Sequence, residues 1–202
     1  MHQSSRTAVR RGAMVWAVSV QPRDRPAPGR LELIRTLVNT LDLDSGADGL
    51  ADAPGARAWL VAGGLLDPAA RLTRSDLARV RRAREAFRLV LIAHAVGGPA
   101  EDAVAFLNEI AADAKLSMRF SGPGDAVPVV AGSSLDGALG QLTATALQAV
   151  FDGRWARLKA CPARNCHWAF YDLSRNRSSR WCDMGVCGNR SKRESRRARR
   201  AP

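Results

Sequence analysis

Apolar residues along the middle of the chain recur three and four positions apart, in blocks separated by glycine, proline and acidic residues. This spacing places apolar side chains on one face of an α-helix. It predicts a first helix over 31–41, which ends in the aspartate- and glycine-rich stretch 42–49. Further helices are predicted over 55–62, 73–96, a segment that begins at Pro99, and 134–158.

Two of these helices begin at recognisable capping residues. Thr73 or Ser75 can cap the third helix, and Ser134 can cap the fifth. The buried stripes are expected to include Val104 in the fourth helix and Val150 in the fifth. The six arginines between positions 74 and 88 are expected to lie mostly on the exposed surface of the third helix.

Between residues 115 and 131 the pattern changes from helical to alternating. Apolar and polar residues alternate up to Phe120, and Gly122-Pro-Gly124 provides a turn before a second apolar run. This arrangement predicts a small antiparallel hairpin. Residues 30–153 are therefore predicted to form a mainly α body with one small β-hairpin, an α+β domain. The proline-rich stretch before the body predicts a flexible N-terminal extension over 1–29.

Charge is distributed unevenly along the chain. The 202 residues include 31 Lys and Arg and 19 Asp and Glu, a formal net charge of +12. Residues 154–202 hold 14 of the basic residues and only three acids, a net charge of +11. A basic segment attached to a nearly neutral body is typical of proteins that bind polyanions. No apolar run reaches the length of about 20 residues that a membrane-spanning helix needs, so no membrane partner is expected.

All four cysteines lie in this basic quarter of the chain, in two C-x4-C pairs: Cys161, Cys166, Cys182 and Cys187. Tetrahedral coordination of zinc by four thiolates best explains two equal pairs, and buried thiols or two disulfides are the alternatives. Between the pairs, residues 167–172 and 180–182 are predicted to form the two strands of a hairpin, and a helix is predicted to start at Cys187. The result is a treble-clef-like zinc finger over 154–197, followed by a tail over 198–202.

A zinc ion with four thiolate ligands has no open position for a substrate, so the site is expected to be structural. His167 could replace Cys166 as a ligand, but a complete set of four thiolates leaves it a supporting or surface position. The sequence contains no G-x-S-x-G, no Walker loop, no H-E-x-x-H and no dinucleotide fingerprint. The chain is therefore expected not to be an enzyme, and four reduced thiolates favour a cytoplasmic location.

Cys187-Gly-Asn-Arg190, together with Trp168 and Arg180-Trp-Cys182, resembles the motif of the CGNR zinc-finger family. The body resembles that family's usual N-terminal partner, the helical ABATE domain, whose opening motif corresponds here to Leu37-Val-Asn-Thr-Leu-Asp42. The resemblance covers about residues 30–197. It implies a bacterial, stress-related transcription regulator whose finger binds DNA.

The residues after the last cysteine independently favour nucleic acid as a partner. Clustered Lys and Arg neutralise phosphates and give affinity, although they carry no sequence information by themselves. Trp168, Phe170 and Trp181 are expected to form the small core of the finger, which leaves Tyr171 as the candidate for stacking on a base. The candidate nucleic-acid contacts are Arg180, Asn189, Arg190, Lys192, Arg193, Arg196, Arg197, Arg199 and Arg200.

The sequence thus favours a DNA-binding transcription regulator with one structural Zn²⁺ per chain and a helical body that senses a small molecule or forms a homodimer. Two alternatives remain open. The finger could bind RNA or the ribosome, because RNA and duplex DNA are both polyanions. The body could instead bind a metabolite and use the finger as a docking module.

Overall fold

The computed structural model describes residues 25–131 and 134–199, which form six α-helices and two antiparallel two-stranded sheets. The helices are α1 (Leu31–Val38), α2 (Ala53–Ala62), α3 (Arg74–Val96), α4 (Glu101–Asp113), α5 (Leu135–Phe151) and α6 (Asn189–Ala198). The strands are β1 (Ser117–Gly122), β2 (Asp125–Val129), β3 (Leu158–Ala160) and β4 (Ala169–Tyr171). The predicted fold class, mainly α with a small hairpin and a C-terminal four-cysteine segment, is confirmed.

The capped starts of α3 and α5 are confirmed. The Thr73 hydroxyl accepts a hydrogen bond from the Asp76 N–H, and the Asp76 carboxylate accepts one from the Thr73 N–H at 2.7 Å. The Ser134 hydroxyl accepts one from the Gly137 N–H in the same way. These side chains satisfy backbone donors that have no partner within the helix, so local sequence is sufficient to set both starts.

One apolar core joins the helices of the body. Leu37 of α1, Phe87 of α3 and Leu142 of α5 are completely buried in it. The same core also includes Leu158 of β3 and Ala169 of β4. The two short strands that surround the first cysteine pair are therefore packed as part of the body.

Two residues expected in this core are exposed instead, because their helices present a different face. Val104 on α4 is 46% exposed and Val150 on α5 is 51% exposed. The buried residues of α4 are Ala103, Phe106 and Ile110. Both stripes of α4 have helical spacing, and the observed one places the large Phe106 ring in the core, where burial of apolar area gains most.

The expectation that the arginines of α3 lie on its surface does not hold for Arg84 and Arg88, which are buried. Arg84 pairs with Asp48 at 2.5 Å and with Glu85 at 2.7 Å. Arg88 also pairs with Glu85, at 2.9 Å. Buried cations need such partners, and periodicity along the helix does not reveal them.

Helix α5 ends earlier than predicted, at Phe151 rather than near Leu158. Gly153 follows with a backbone φ of +67°, a left-handed conformation that glycine adopts without strain. A short 3-10 turn, Trp155–Arg157, then leads into β3. This break redirects the chain, so the segment before the first cysteine enters a sheet instead of extending the helix.

The hairpin predicted between residues 115 and 131 is confirmed. Strands β1 and β2 pair in antiparallel register, with Ser117 opposite Val129 and Phe120 opposite Ala126. Strand β1 is almost entirely exposed, and the Phe120 side chain is 83% exposed. The alternation of apolar residues therefore indicated the strand correctly, although it does not mark a buried face here.

The second hairpin differs from the prediction. Strand β4 pairs with β3, which precedes the first cysteine pair, with Leu158 opposite Tyr171 and Ala160 opposite Ala169. The predicted pairing of 167–172 with 180–182 is wrong. The observed partner is favoured because β3 is wholly buried and brings its apolar side chains into the core of the body.

Most of the N-terminal extension predicted over 1–29 lies outside the described residues, as does the end of the tail predicted over 198–202. The described part of the extension packs against the protein. Ala27 is buried, and the Arg25 carbonyl accepts a hydrogen bond from the Tyr171 N–H at 3.0 Å. Across 25–131 and 134–199, no helix combines the length and the apolar character required to cross a membrane.

Candidate metal centre and nucleic-acid interface

The structure brings the four cysteine thiols together in one buried cluster. Each offers its Sγ atom, and the four atoms lie within 4.8 Å of one another. They come from the segment after β3, the segment before β4, and both ends of the segment 182–187. All four are free thiols, so the disulfide alternative is not what the structure contains.

The spacing of the sulfur atoms fits a tetrahedral metal ion. Zn–S bonds of about 2.3 Å place sulfur ligands about 3.8 Å apart in a tetrahedron. The Sγ atoms of Cys166 and Cys182 are 3.5 Å apart, and those of Cys182 and Cys187 are 3.7 Å apart. Four thiols at this spacing form a donor set for a metal that prefers sulfur ligands, and Cys161, Cys166, Cys182 and Cys187 would hold it.

The electrostatics of the cluster also favour a cation. Hydrogen bonds from the Cys161 and Cys182 thiols lower the pKa of Cys166 to about 2. Burial raises the pKa of Cys187 to about 12, and thiol hydrogen bonds raise the pKa of Cys182. The protein by itself therefore stabilises one thiolate, and four thiolates need a bound cation.

Backbone groups of the turns around the cysteines favour the thiolate form, as expected around metal ligands. The hydrogen bond with Cys166 raises the pKa of Cys161, while the backbone groups of Cys182 and Ala163 act to lower it, and the backbone of Trp168 also acts to lower the pKa of Cys166. A π-turn, Met184–Gly188, carries Cys187, and its start is capped by the Asp183 carboxylate. These contacts orient the sulfurs before any metal binds.

Aromatic side chains enclose the cluster largely as predicted. Phe170 is completely buried beside the thiols, and Trp168 and Trp181 pack against it partly buried. The expectation for Tyr171 is wrong, because its ring is buried in the core of the body and offers no surface for a base. Tyr171 belongs to β4, and the pairing of β4 with the buried strand β3 places this side chain in the core.

A buried ion pair supports the loop between the two cysteine pairs. Lys159 donates to the Asp172 carboxylate at 2.7 Å and also to the carbonyls of Arg177 and Ser179. Asp172 accepts further hydrogen bonds from the Ser174 and Ser179 N–H groups. Although burial opposes it, the hydrogen bond from Lys159 holds the pKa of Asp172 well below its usual range. The loop 172–179 is thereby fixed to β3.

Two body residues that the sequence analysis did not propose as site residues, Asn39 of the ABATE motif and Arg88 of α3, fasten β4 to the helices. The Asn39 side chain donates to the Ala169 carbonyl at 2.9 Å and accepts from the Ala169 N–H at 2.7 Å. Arg88 donates to the His167 carbonyl at 3.1 Å and to the Val38 carbonyl at 2.8 Å. Each contact spans a large sequence separation, so no local pattern could indicate it.

Arg25 is a third fastening residue, and it lay in the predicted extension. Its guanidinium donates to the carbonyls of Trp181 and Cys182 at 2.7 and 2.8 Å. It also lies 4.5 Å from the centre of the Phe170 ring, a cation–π contact. Arg25 therefore joins the segment of the second cysteine pair to the Phe170 ring of β4.

Of the two histidines near this region, His94 packs in the body, and His167 is partly buried next to Cys166. His94 on α3 is hydrogen-bonded through Nδ1 to the Leu158 carbonyl at 2.9 Å, and its ring meets that of Trp155 at 5.1 Å. Burial lowers the pKa of both His94 and His167. The metal-binding group of the described residues consists of the four thiols and does not include His167.

Most of the predicted nucleic-acid contacts lie on α6, and every side chain of that helix is at least partly exposed. Two grooves flank α6: Arg190, Arg193 and Arg197 line one, and Lys192, Arg196 and Arg199 line the other. Arg180 is exposed beside the Trp181 ring, at the edge of a third groove that also includes Arg25. Arg200 lies outside the described residues.

Comparison with known families agrees with this architecture. Residues 30–153 match the ABATE family, described as "Putative stress-induced transcription regulator", and residues 157–200 match the family described as "CGNR zinc finger". The chain belongs to the ABATE family. Among curated proteins, none is significantly similar to this ABATE chain.

In this ABATE protein, the residues of the two motifs have visible structural roles. Thr40, next to Asn39, accepts a hydrogen bond from the buried Arg84. The absence of a side chain at Gly188 leaves room for the Met184 thioether and the Trp181 ring. Asn189 donates to the Gly185 carbonyl at 2.9 Å and so closes the turn that carries Cys187.

Arg190, the last residue of the CGNR motif, bridges the finger and the body. Its guanidinium lies 3.7 Å from the Asp44 carboxylate in the loop after α1. Both side chains are largely exposed, so the pair contributes little stability. The hydrogen bond of Asn189 therefore shows that part of the CGNR motif serves the fold of the finger, whereas Arg190 makes only a weak contact with the body.

Proposed function

We propose that this ABATE protein is a transcription regulator that binds duplex DNA through α6, with one Zn²⁺ held by the four cysteines. Zinc is the metal that structural four-thiolate sites hold, and the spacing of the thiols suits it. Bound zinc would join the turn before α6 to the loop between β3 and β4, which carries Cys161 and Cys166. Since four thiolates leave no open position on zinc, we also propose that the protein is not an enzyme.

The observation that carries this proposal is the isolation of α6. The helix has the sequence NRSKRESRRA, with five basic residues and one acid, and it buries no side chain. Among the described residues, its substantial packing contact is with the π-turn that carries Cys187. A ten-residue helix with so many like charges is not stable in isolation, so a polyanion is the partner that would stabilise it.

Duplex DNA fits the shape of this helix better than duplex RNA does. An α-helix with side chains is about 10–12 Å wide, and the major groove of B-DNA is about 12 Å wide. Basic residues on both sides of α6 can then reach phosphates of both strands. The major groove of an A-form RNA helix is too narrow and deep for side chains to read.

The test is binding of the full-length, zinc-loaded protein to duplex DNA across a salt series, with duplex RNA as competitor. We expect the triple variant Arg193→Gln/Arg196→Gln/Arg197→Gln to bind more weakly and to lower the slope of log K against log salt by about 3, because three phosphate contacts are lost. Deletion of residues 191–202 should lower the slope further and weaken all sequences similarly.

The matched control is Arg71→Gln/Arg74→Gln/Arg119→Gln, which removes the same charge from exposed arginines of the body. It should leave the slope close to that of the wild type. Equal losses in both triple variants would assign the affinity to net charge and contradict a role for α6. RNA that outcompetes DNA at every salt concentration would contradict the choice of duplex DNA and favour the RNA-binding alternative.

Further parts of the proposal concern the source, the location and the regulation of this activity. We propose a bacterial, cytoplasmic protein that acts in a stress response, because reduced thiols suit that compartment and the family description names stress. We propose that the body supplies regulation, by a small-molecule effector or as a homodimer. A ligand that binds the folded body would raise its melting temperature, and the increase would grow with the logarithm of the ligand concentration above the Kd.

A further inference from the structure

A groove of about 350 Å³ crosses the body along α5, and the described residues that line it include no cysteine. Its volume falls near the lower end of the range of about 300–1,000 Å³ for small-molecule sites. Helix α5 forms the floor, β2 forms one wall, and the chain entering α1 forms the other. The residues that shape it include Arg30 and Leu31 at the start of α1, Val127 of β2, and Gln141 and Ala144 of α5.

The walls of the groove are mainly apolar. Leu31 and Ala149 are buried beneath it, and Val127, Val130 and Ala144 are half-buried around it. Such side chains favour the apolar part of a ligand, because contact with it removes apolar area from water. The Thr145 hydroxyl is already engaged, since it donates to the Gln141 carbonyl at 2.7 Å.

Arginine side chains supply the charge of the groove. Arg30 donates to the Gln141 side chain at 2.9 Å, and within the described parts of the chain no carboxylate pairs with it. At the other end, Arg154 lies 3.8 Å from Asp152, which also accepts from Gln148. The groove therefore presents an apolar surface together with an arginine whose charge is not neutralised, and this favours an anion over a cation or a neutral molecule.

We propose that this groove binds a small amphipathic carboxylate, with its apolar part on α5 and β2 and its carboxylate paired with Arg30. Arginine matches a carboxylate with two parallel N–H···O bonds, and Gln141 holds the guanidinium at the edge of the groove. The groove ends at Asp152 and Arg154, directly before the turn that leads to β3. A ligand here would touch the joint between the body and the metal centre, without using any residue of the nucleic-acid interface.

The experiment uses octanoate and 1-octanol as matched probes on the full-length protein, without nucleic acid. Binding is measured by isothermal titration calorimetry, and its position by hydrogen exchange. We expect octanoate to bind one to one, about ten-fold or more tightly than 1-octanol, because a charge-assisted hydrogen bond to Arg30 is lost in the alcohol. Protection from exchange should appear in β2 and along α5.

Two variants and a control complete the experiment. Arg30→Gln, an exposed position that should not affect folding, is expected to reduce octanoate affinity to that of the alcohol. Ala144→Phe should fill the groove and abolish binding of both probes. Arg119→Gln removes an arginine outside the groove and should bind octanoate as the wild type does.

Several results would overturn the proposal. Equal affinity for octanoate and 1-octanol, or wild-type affinity in Arg30→Gln, would contradict the carboxylate partner. Protection confined to segments other than β2, α5 and the chain entering α1 would contradict the location. Absence of saturable binding by either probe would contradict the groove as a ligand site, whatever the outcome of the DNA measurements.

Discussion

The two sides of the cysteine cluster are held in different ways. On the β3–β4 side, the strands are buried in the core of the body. Asn39 and His94 hydrogen-bond to their backbone, and Arg88 donates to the carbonyl of His167, two residues before β4. On the α6 side, the chain leaves the cluster at Cys187 and forms a helix with no buried side chain. The same metal centre thus joins a segment that belongs to the body to one that projects from it.

This contrast indicates what the metal contributes to each side. Apolar burial and hydrogen bonds stabilise β3 and β4 without any metal. The second cysteine pair is held by its aromatic neighbours, by the hydrogen bonds from Arg25 and by the turn that carries Cys187. Helix α6 follows that turn, so its position depends on the turn. Bound metal should therefore stabilise the α6 side much more than the β3–β4 side.

The largest expected effect is that of Cys187→Ser. Loss of one thiolate should release the metal, and metal binding contributes about 10–16 kcal/mol to the folding of zinc-finger peptides. Metal analysis should fall from one zinc per chain to far less, and hydrogen exchange should become fast in 182–199. Circular dichroism of Cys187→Ser should still show the helices of the body. The same result is expected for the wild type after its metal is removed with a chelator.

Ser191→Ala, which changes an α6 residue outside the cluster, is the control and should retain zinc. Loss of helix throughout the body in Cys187→Ser would show that the two sides form one cooperative unit. Retention of zinc in the same variant would contradict the assignment of the ligands.

A smaller effect is expected from Asn39→Ala, which removes both hydrogen bonds to Ala169. Leaving the buried backbone groups of β4 without partners should cost about 1–3 kcal/mol in the free energy of unfolding. Urea denaturation measures this loss, and faster exchange of the Ala169 amide locates it. Zinc content and salt-dependent DNA binding should change little, because the α6 side is not touched.

Asn108→Ala, an exposed asparagine on α4, provides the comparison for Asn39→Ala and should be nearly neutral. If Asn39→Ala is equally neutral, the contact with Ala169 does not stabilise the β3–β4 side. The difference between the two variants is therefore the quantity to measure.

The smallest effect is the pH dependence from His94. Burial lowers the pKa of His94 in the folded protein, whereas the unfolded chain titrates near pH 6.5. The unfolded state therefore binds more protons below about pH 6.5, and stability falls as the pH decreases through that value. Between pH 7.5 and 6, urea denaturation should show a loss of about a few tenths of a kcal/mol from this group.

His94→Asn should reduce the total loss of stability between pH 7.5 and 6 only in part, because burial also lowers the pKa of His167. An unchanged pH dependence in His94→Asn would exclude His94 as its source. The cysteines of the unfolded chain also take up protons between pH 7.5 and 6, whereas metal-bound thiolates do not, so the contribution of His94 is the difference in pH dependence between the wild type and His94→Asn.

Local features could be predicted from the sequence because they depend on neighbouring residues. The starts of α3 and α5 follow from Thr73 and Ser134, whose side chains bond to N–H groups three residues away. The grouping of the cysteines follows from two equal pairs in one short segment. The charge of α6 follows directly from composition.

Other features depended on residues far apart in the chain, and only the tertiary structure decided them. Strand β4 could pair with 180–182 by its pattern alone, but it pairs with β3 because β3 enters the core of the body. Arg88 is buried where the carbonyls of Val38 and His167 accept its hydrogen bonds. Tyr171 is buried because its strand, β4, packs with β3 in the core of the body. Sequence alone determined which segments form helices and which side chains carry the chemistry. The tertiary structure decided which of these segments meet, since burial and long-range hydrogen bonds select among local patterns that are equally good.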